Sequence, residues 1–388
     1  MTMAEGDLAV AEIKFVRGAT IDAQPPPAAM RGAVGWLWEN LLSTKFNIIL
    51  TILIALLAFW IIPDLVKFLL IDAVWTGVDR DACREIVVHH PVGACWPFVF
   101  ERWPYFVYGS YPISERWRVD VFFVMLAIGV VWLLWLHAPR RDVGMAYFFV
   151  VLPISSFILL TGWKAIGLMP VDTSLWGGIL VTIVVASVGI IFSLPIGIML
   201  GLGRRSHMPA VRLFSVIFIE FVRGVPLVTV LFMASVMLPL FVPEQYSPDK
   251  LLRALVGIAL FASAYMAEVV RAGLQAIPKG QFEGAMAVGL GYSQMMRLIV
   301  LPQALKITIP NIVNTYIGLF KDTTLVFIVG IFDFLQTVEV SRIDPKWATP
   351  VTSTTGYAVA AMFYLVFCYA MSRYARATEA RLAKAERR

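Results

Sequence analysis

The sequence predicts an all-α polytopic membrane protein of about eight transmembrane helices. Of its 388 residues 59% are hydrophobic, against roughly 45–50% in soluble domains, and only 15% are charged, where about 25% is usual. Mean hydropathy is +0.78. The apolar residues also fall into runs of about 20, the length an α-helix needs to cross the hydrocarbon of a bilayer. One soluble core could not absorb that much apolar surface. The net charge of +6 is scattered between the runs. It therefore reads as a topology signal and not as a nucleic-acid footprint.

Residues 1–45 are mixed polar, with a QPPP segment, and lack the early apolar stretch of a cleaved signal peptide. They read as a partly disordered cytoplasmic leader. Candidate spans follow at 46–71, 121–137, 145–162, 175–202, 213–242, 254–270, 307–332 and 357–372. An even number puts both termini on one side. With the termini inside, the inner segments hold almost twice as many Lys and Arg as the outer ones. Both ends are thus expected in the cytoplasm. The long loop 72–120 and the short acidic segment with Glu244 and Asp249 then face outward. The long loop carries Trp75, Trp96, Trp103, Tyr105, Tyr108, Tyr111 and Trp117, residues suited to the interfacial belt. The last residues, 373–388, read as a basic helix near anionic headgroups. Paired broken helices in corresponding halves, the mark of many secondary transporters, are not evident.

Three cysteines occur. Cys368 lies in an apolar run and reads as packing. Cys83 and Cys95 share the outer loop. In an oxidising compartment they could pair as a disulfide; otherwise they are two free thiols. Their spacing does not suggest zinc. No metal site is expected: His89, His90, His137 and His207 fall at loops or span ends, and no H-E-x-x-H is present.

The stretch 279–302 interrupts this apolar text on the cytoplasmic side. Glu268 and Arg271, three apart, can pair on the helix leading into it. That helix should end near Ile277, before Pro278. A short helix follows from Gln281, with Phe282, Ala285, Met286 and Gly289 on one face and Glu283 in its first turn. Gly289 and Gly291 permit a sharp turn. Ser293 is the expected N-cap of a second helix, which Pro302 should stop. The product is a rigid projection without reactive groups, either a docking knob or a plain connector.

Glu283, Ala285, Gly289, Ile299, Leu301 and Pro302 stand at the spacing of the EAA loop of bacterial ABC-importer permeases, with Gly284 in place of the middle alanine. The segments EFVRGVPLVTVLF, AYMAEVVRAGLQAIPKGQFEGA, LPQALKITIPNIVN and LFKDTTLV resemble the polar amino-acid uptake subfamily. The leader and GACWPFVFERWPYFVYGSYP resemble the M-type permease of general L-amino-acid importers of Gram-negative bacteria. The resemblance implies a five-helix type I permease core at 175–376, preceded by a three-helix extension at 46–174 and followed by a basic tail at 377–388. It implies that the loop docks on a separate cytoplasmic ABC ATPase dimer, through Glu283, Gly284, Ala285, Gly289, Ile299, Leu301 and Pro302. It further implies a second permease subunit and a periplasmic solute-binding protein, in the bacterial inner membrane. The chain has no G-x-x-x-x-G-K-[ST] loop. No cofactor is expected on it, and ATP and Mg would belong to the partner. The expected function is a non-enzymatic permease subunit for L-amino-acid import by alternating access; the alternative is an ion-coupled secondary transporter.

Ionisable residues inside spans are functional candidates because an unpaired charge there is costly. Glu220 and Arg223, three apart, can pair, and Arg223 would lie about 16 Å along a straight fifth span, near mid-depth. Lys321 with Asp322 would stand at a similar depth. These four residues, with the hydroxyls of Thr323 and Thr324, are the expected substrate path, complementing the ammonium and carboxylate of an amino acid. Gly224 and Pro226 mark a kink or gate beside it.

Overall fold

The computed structural model describes residues 32–84, 91–135, 138–243 and 246–386. Most of the leader, His89, His90, His137, Glu244 and the last two residues lie outside them. Among the described residues, seven helices are long and apolar enough to cross a membrane, or eight if one bent pair counts as a single span. The chain divides into two compact units, Met1–Lys67 and Phe68–Arg388.

The first unit contains α1 (Gly32–Leu41) and α2 (Lys45–Val66). Thr44 caps α2, its Oγ1 accepting the Asn47 N–H at 3.1 Å. No residue of α2 is buried within the protein. A helix apolar on every side is matched to hydrocarbon and not to a two-sided protein surface.

The second unit is built on α6 (Gly178–Arg204) and α9 (Lys250–Ala276), the most extensively packed pair. They approach closely because small residues line the seam. A Cβ at Gly197 would stand 2.7 Å from Met266, and one at Gly201 3.1 Å from the Ala267 carbonyl. Close backbone approach through small residues is how helices associate where no hydrophobic force separates protein from solvent. The helix α11 (Tyr292–Val329) packs on both. Leu319 sits where Gly189 leaves room, and Gly273 abuts the Ala304 carbonyl. Two further spans, α4 (Ile113–Leu134) and α5 (Arg141–Thr161), lean on α6 through Phe122, Phe148, Leu152 and Leu160.

The outer loop of the sequence is not an open aromatic belt. It holds α3 (Trp96–Tyr108), whose Phe98 and Phe106 are fully buried against Phe334, Val338 and Trp347. Tyr111 is also buried, whereas Trp75, Trp103 and Trp117 remain about half exposed. Aromatic side chains were enough in number to build a small core of their own, so only part of them reaches the surface. Cys83 and Cys95 are joined as a disulfide in this cluster. The Cys95 N–H donates to Thr355 Oγ1 at 2.9 Å, Lys346 Nζ pairs with Glu101 at 2.7 Å, and Arg102 pairs with Asp344. Asp333 caps α12 (Phe334–Ser341), accepting the Leu335 and Gln336 N–H groups. Burial pushes its carboxyl up to about 6. The last helix, α13, runs without a break from Pro350 to Glu386, so the basic tail continues the final span and is not a separate surface helix.

Gly273→Ala should lower the thermal midpoint in detergent by several degrees. Its Cβ would fall 2.6 Å from the Ala304 carbonyl oxygen, an overpacking worth about 1–3 kcal/mol. Gly284→Ala, where nothing lies within 4 Å, should leave the midpoint unchanged or raised. Equal behaviour of the two variants would contradict the packing described.

Candidate functional site

Beyond α9 the chain makes the expected projection. Ala276 is the last helical residue, and Ile277 leaves the helix with extended backbone before Pro278. The short helix α10 (Lys279–Ala287) follows. Ala285 is buried, and Phe282 packs with it against a cluster that includes Leu274, Ile277, Met295 and Val300. Gly289 has φ +80°, and its N–H donates to the Met286 carbonyl while the Leu290 N–H donates to that of Ala285. This closes α10 with a left-handed glycine, a conformation that a side chain would strain.

Two details differ from expectation. Gly291, not Ser293, is the N-cap of the next helix, and its N–H donates to Gln294 Oε1 at 3.3 Å. Nor does Pro302 stop that helix, which runs on as α11 for the whole span. A π-turn at Met296–Val300 precedes Pro302. The wider turn relieves the clash and lost bond that a proline imposes on an α-helix. The projection is therefore rooted directly in a membrane span. Gln303 Nε2 also donates to Gln281 Oε1 at 3.1 Å, tying α10 to α11. Ile299 and Leu301 are half-buried in the same cluster, while Glu283 and Gly284 are exposed. Met286, Val288, Tyr292 and Leu298 present apolar surface outward.

The fifth span is not straight. It comprises α7 (Pro209–Gly224) and α8 (Leu227–Phe241), bent by 105° at the break containing Val225 and Pro226. Helix α7 crosses the Arg204 end of the bundle, so Arg223 does not stand on a straight fifth span. Ser215 lies against Gly203, and Ile219 packs on Leu200 and Ala267. The opposite face of α7 exposes Leu213, Phe214, Ile217 and Phe221. Such a sided helix suits the plane of a membrane interface.

Glu220 and Arg223 do not pair with each other. Glu220 Oε1 meets Arg204 at 2.7 Å, and Arg223 lies 3.7 Å from Glu268 Oε2 and over the Tyr265 ring at 5.5 Å. Glu268 also takes Arg204 on Oε1 and Arg271 on Oε2, each at 2.7 Å. The i,i+3 pair expected within α9 is therefore one strand of a network across three helices. Its core is the Glu268 carboxylate, only 15% exposed. The Glu268–Arg271 pair forms as expected, whereas tertiary pairing replaces the expected Glu220–Arg223 pair because α6 ends with Arg204 beside both carboxylates.

Lys321 and Asp322 end the α-helical part of α11, and no side-chain hydrogen bond or ion pair joins them to Glu220 or Arg223. Leu319 is level with Gly189 and Glu268 is just past the level of Gly197. The two charged groups are thus roughly 20 Å apart along the helix axes. The 3-10 turn Thr323–Val329 follows, and α8 packs on it. Thr323 is buried and donates to the Phe320 carbonyl; Thr324 donates to that of Lys321. Both hydroxyls cap the turn instead of standing free beside Lys321.

Between the two levels, the same face of α11 carries Asn311, Asn314, Thr315 and Gly318. With Lys321 and Asp322 they stand at i, i+3, i+4, i+7, i+10 and i+11, one stripe on a 3.6-residue helix. Asn311, Asn314 and Thr315 meet Glu268, Val269 and Ala272 of α9 around an open cleft of about 450 Å³. The sequence reading passed over these residues and Arg204, although the polar periodicity within an apolar run was the signal for them.

A bundle of membrane-crossing helices, one of them broken, with a charged cluster and a compact projection at one end, suits a membrane transport component. The chain belongs to the family described as the binding-protein-dependent transport system inner membrane component, whose model matches residues 193–384. It is 48% identical over 359 residues to the inner membrane amino-acid ABC transporter permease protein YhdY of Escherichia coli K12, covering 92% of this chain and 95% of that one. It is 35% identical over 440 residues to the glutamate/glutamine/aspartate/asparagine transport system permease protein BztC of Rhodobacter capsulatus, covering 97% and 100%. A crystal structure of an amino acid ABC transporter with histidines aligns at 25% identity and a TM-score of 0.46, over 53% of this chain and 92% of that one.

Removing Glu268 leaves Arg223 and Arg271 without a carboxylate and Arg204 with Glu220 alone. Glu268→Ala should cost about 3 kcal/mol, while Arg271→Ala, at an i,i+3 position, should cost under about 1 kcal/mol. Thermal unfolding in detergent checks the ranking, and equal losses would contradict a hub at Glu268.

Proposed function

We propose that this chain is a permease subunit of an ATP-driven importer of L-amino acids. The observation that carries the reading is the loop from Glu283 to Pro302, folded as a rigid projection that continues into a span, in a chain whose relatives over nearly their full length are amino-acid permeases. The projection docks on a cytoplasmic ABC ATPase dimer, which supplies the ATP and Mg site. Its exposed Met286, Val288, Tyr292 and Leu298 are suited to a cleft on a partner. A second permease subunit completes the pore, and a periplasmic solute-binding protein delivers substrate. Both termini lie in the cytoplasm, and the cluster with the Cys83–Cys95 disulfide faces the oxidising periplasm.

Closure of the ATPase pair moves the projection, and α11, being continuous with it, moves too. The knob's helix α10 is tied to α11 through Gln281 and Gln303, so the two respond together. The break at Gly224–Pro226 lets α7 and α8 change angle, since a Cβ at Gly224 meets nothing within 4 Å. Glu220 and Arg223 stand on the cytoplasmic side of this hinge and Lys321 and Asp322 at mid-depth. A substrate carrying an ammonium and a carboxylate meets both signs of charge at each level.

Gly289→Asp is expected to lower uptake at least 10-fold and weaken ATPase docking while membrane insertion stays normal; unchanged uptake would refute the coupling role. Arg223→Ala and Lys321→Ala should each abolish most transport with the complex still assembled. Normal uptake in both would remove them from the path.

A further inference from the structure

The polar stripe of α11 holds two amides that the protein itself does not use. Asn311 and Asn314 are exposed, and among the described residues neither side chain makes a hydrogen bond. Beyond the helical backbone ladder, the Asn311 carbonyl accepts from Thr315 Oγ1 at 2.9 Å. An unpaired amide in hydrocarbon costs several kcal/mol, so two of them one turn apart require water, a ligand or a partner's polar groups. With Glu268, Val269, Ala272 and Thr315 they line a shallow, widely open cleft of about 450 Å³. The Glu268 carboxylate is bound tightly by Arg204 and Arg271 and loosely by Arg223, at 2.7, 2.7 and 3.7 Å. Arg223 is the most exposed of the three guanidiniums, at 37%. It is the cation most easily exchanged to another anion.

We infer that this cleft is a second, inner subsite for the zwitterionic head of the substrate, resting on the reading of the chain as an amino-acid permease. The substrate ammonium lies between Glu268 and the side-chain oxygens of Asn311 and Asn314. Its carboxylate takes Arg223 from Glu268. The exchange breaks the one Arg223–Glu268 contact and forms two, Glu268 with the ammonium and Arg223 with the carboxylate, so both ends of the head group are paired in the cleft. Thr315 and Gly318 mark the way between the levels, and a Cβ at Gly318 would meet nothing within 4 Å. Zwitterion recognition of this kind is indifferent to the side chain, so the subsite selects the class of substrate and not the individual amino acid.

The test uses the assembled importer in nanodiscs and proteoliposomes, with its ATPase, partner permease and binding protein. Radiolabelled L-glutamate, L-glutamine, L-aspartate and L-asparagine serve as probes. The variants are Asn311→Leu/Asn314→Leu and the conservative Asn311→Ser/Asn314→Ser. The leucine variant should transport at least 10-fold more slowly. ATP hydrolysis stimulated by the loaded binding protein should stay within about twofold of the unmodified complex. The serine variant should recover most transport. Normal transport by the leucine variant overturns the subsite. So does a complex that loses its partner permease, since the amides would then be interface groups. If the unmodified importer moves none of the four probes while hydrolysing ATP, the amino-acid reading itself fails.

Discussion

The close approach of α6 and α9 is the constraint on which the rest depends. Glycines at 197 and 201 let Met266 and Ala267 come within van der Waals reach of the α6 backbone. That registers the two helices so that Arg204 and Glu268 meet at 2.7 Å. A bulkier residue at either glycine would separate the helices and the ion pair together. The same economy of space holds α11 in place, through Gly189 and Gly273. A small-residue seam is thus what brings charges from three distant segments to one point.

Electrostatics explains why those charges meet there. Three guanidiniums and two carboxylates share the Arg204 end of the bundle, and each isolated charge would be costly in a low-dielectric setting. Clustering them offsets that cost and leaves Arg223 as the loosest member. Farther along α11 the polarity continues without ion pairing, through amides and a hydroxyl to Lys321. The bundle therefore combines a tight anchor on α6, α7 and α9 with an open polar face on α11. The break at Gly224–Pro226 lies between the two, since α7 touches the anchor and α8 touches the turn after Lys321.

Much of this was legible in the sequence. Apolar runs of the right length located the spans, and Pro278 and Gly289 marked the end of α9 and the turn of the loop. What misled were arguments from local spacing. Glu220 and Arg223 stand three apart, which allows a pair, but Arg204 and Glu268 offer each a better partner from another helix. A continuous apolar run over 213–242 suggested a straight span, whereas Gly224 and Pro226 together interrupt the hydrogen-bond ladder and turn the chain by 105°. Pro302 looked like a stop because a π-turn, which accommodates it, has no clear sequence signature. Asn311 and Asn314 were overlooked because uncharged polar residues do not stand out in an apolar helix until its neighbours are known.

The central claim is that the projection at Glu283–Pro302 transmits work from a separate ATPase to the hinged spans above it. The most direct measurement is purification of the tagged chain from native membranes in mild detergent, with mass spectrometry of its stoichiometric partners. The account predicts recovery of an ATPase bearing a P-loop together with a second permease. A stable, monodisperse preparation of this chain alone would contradict it.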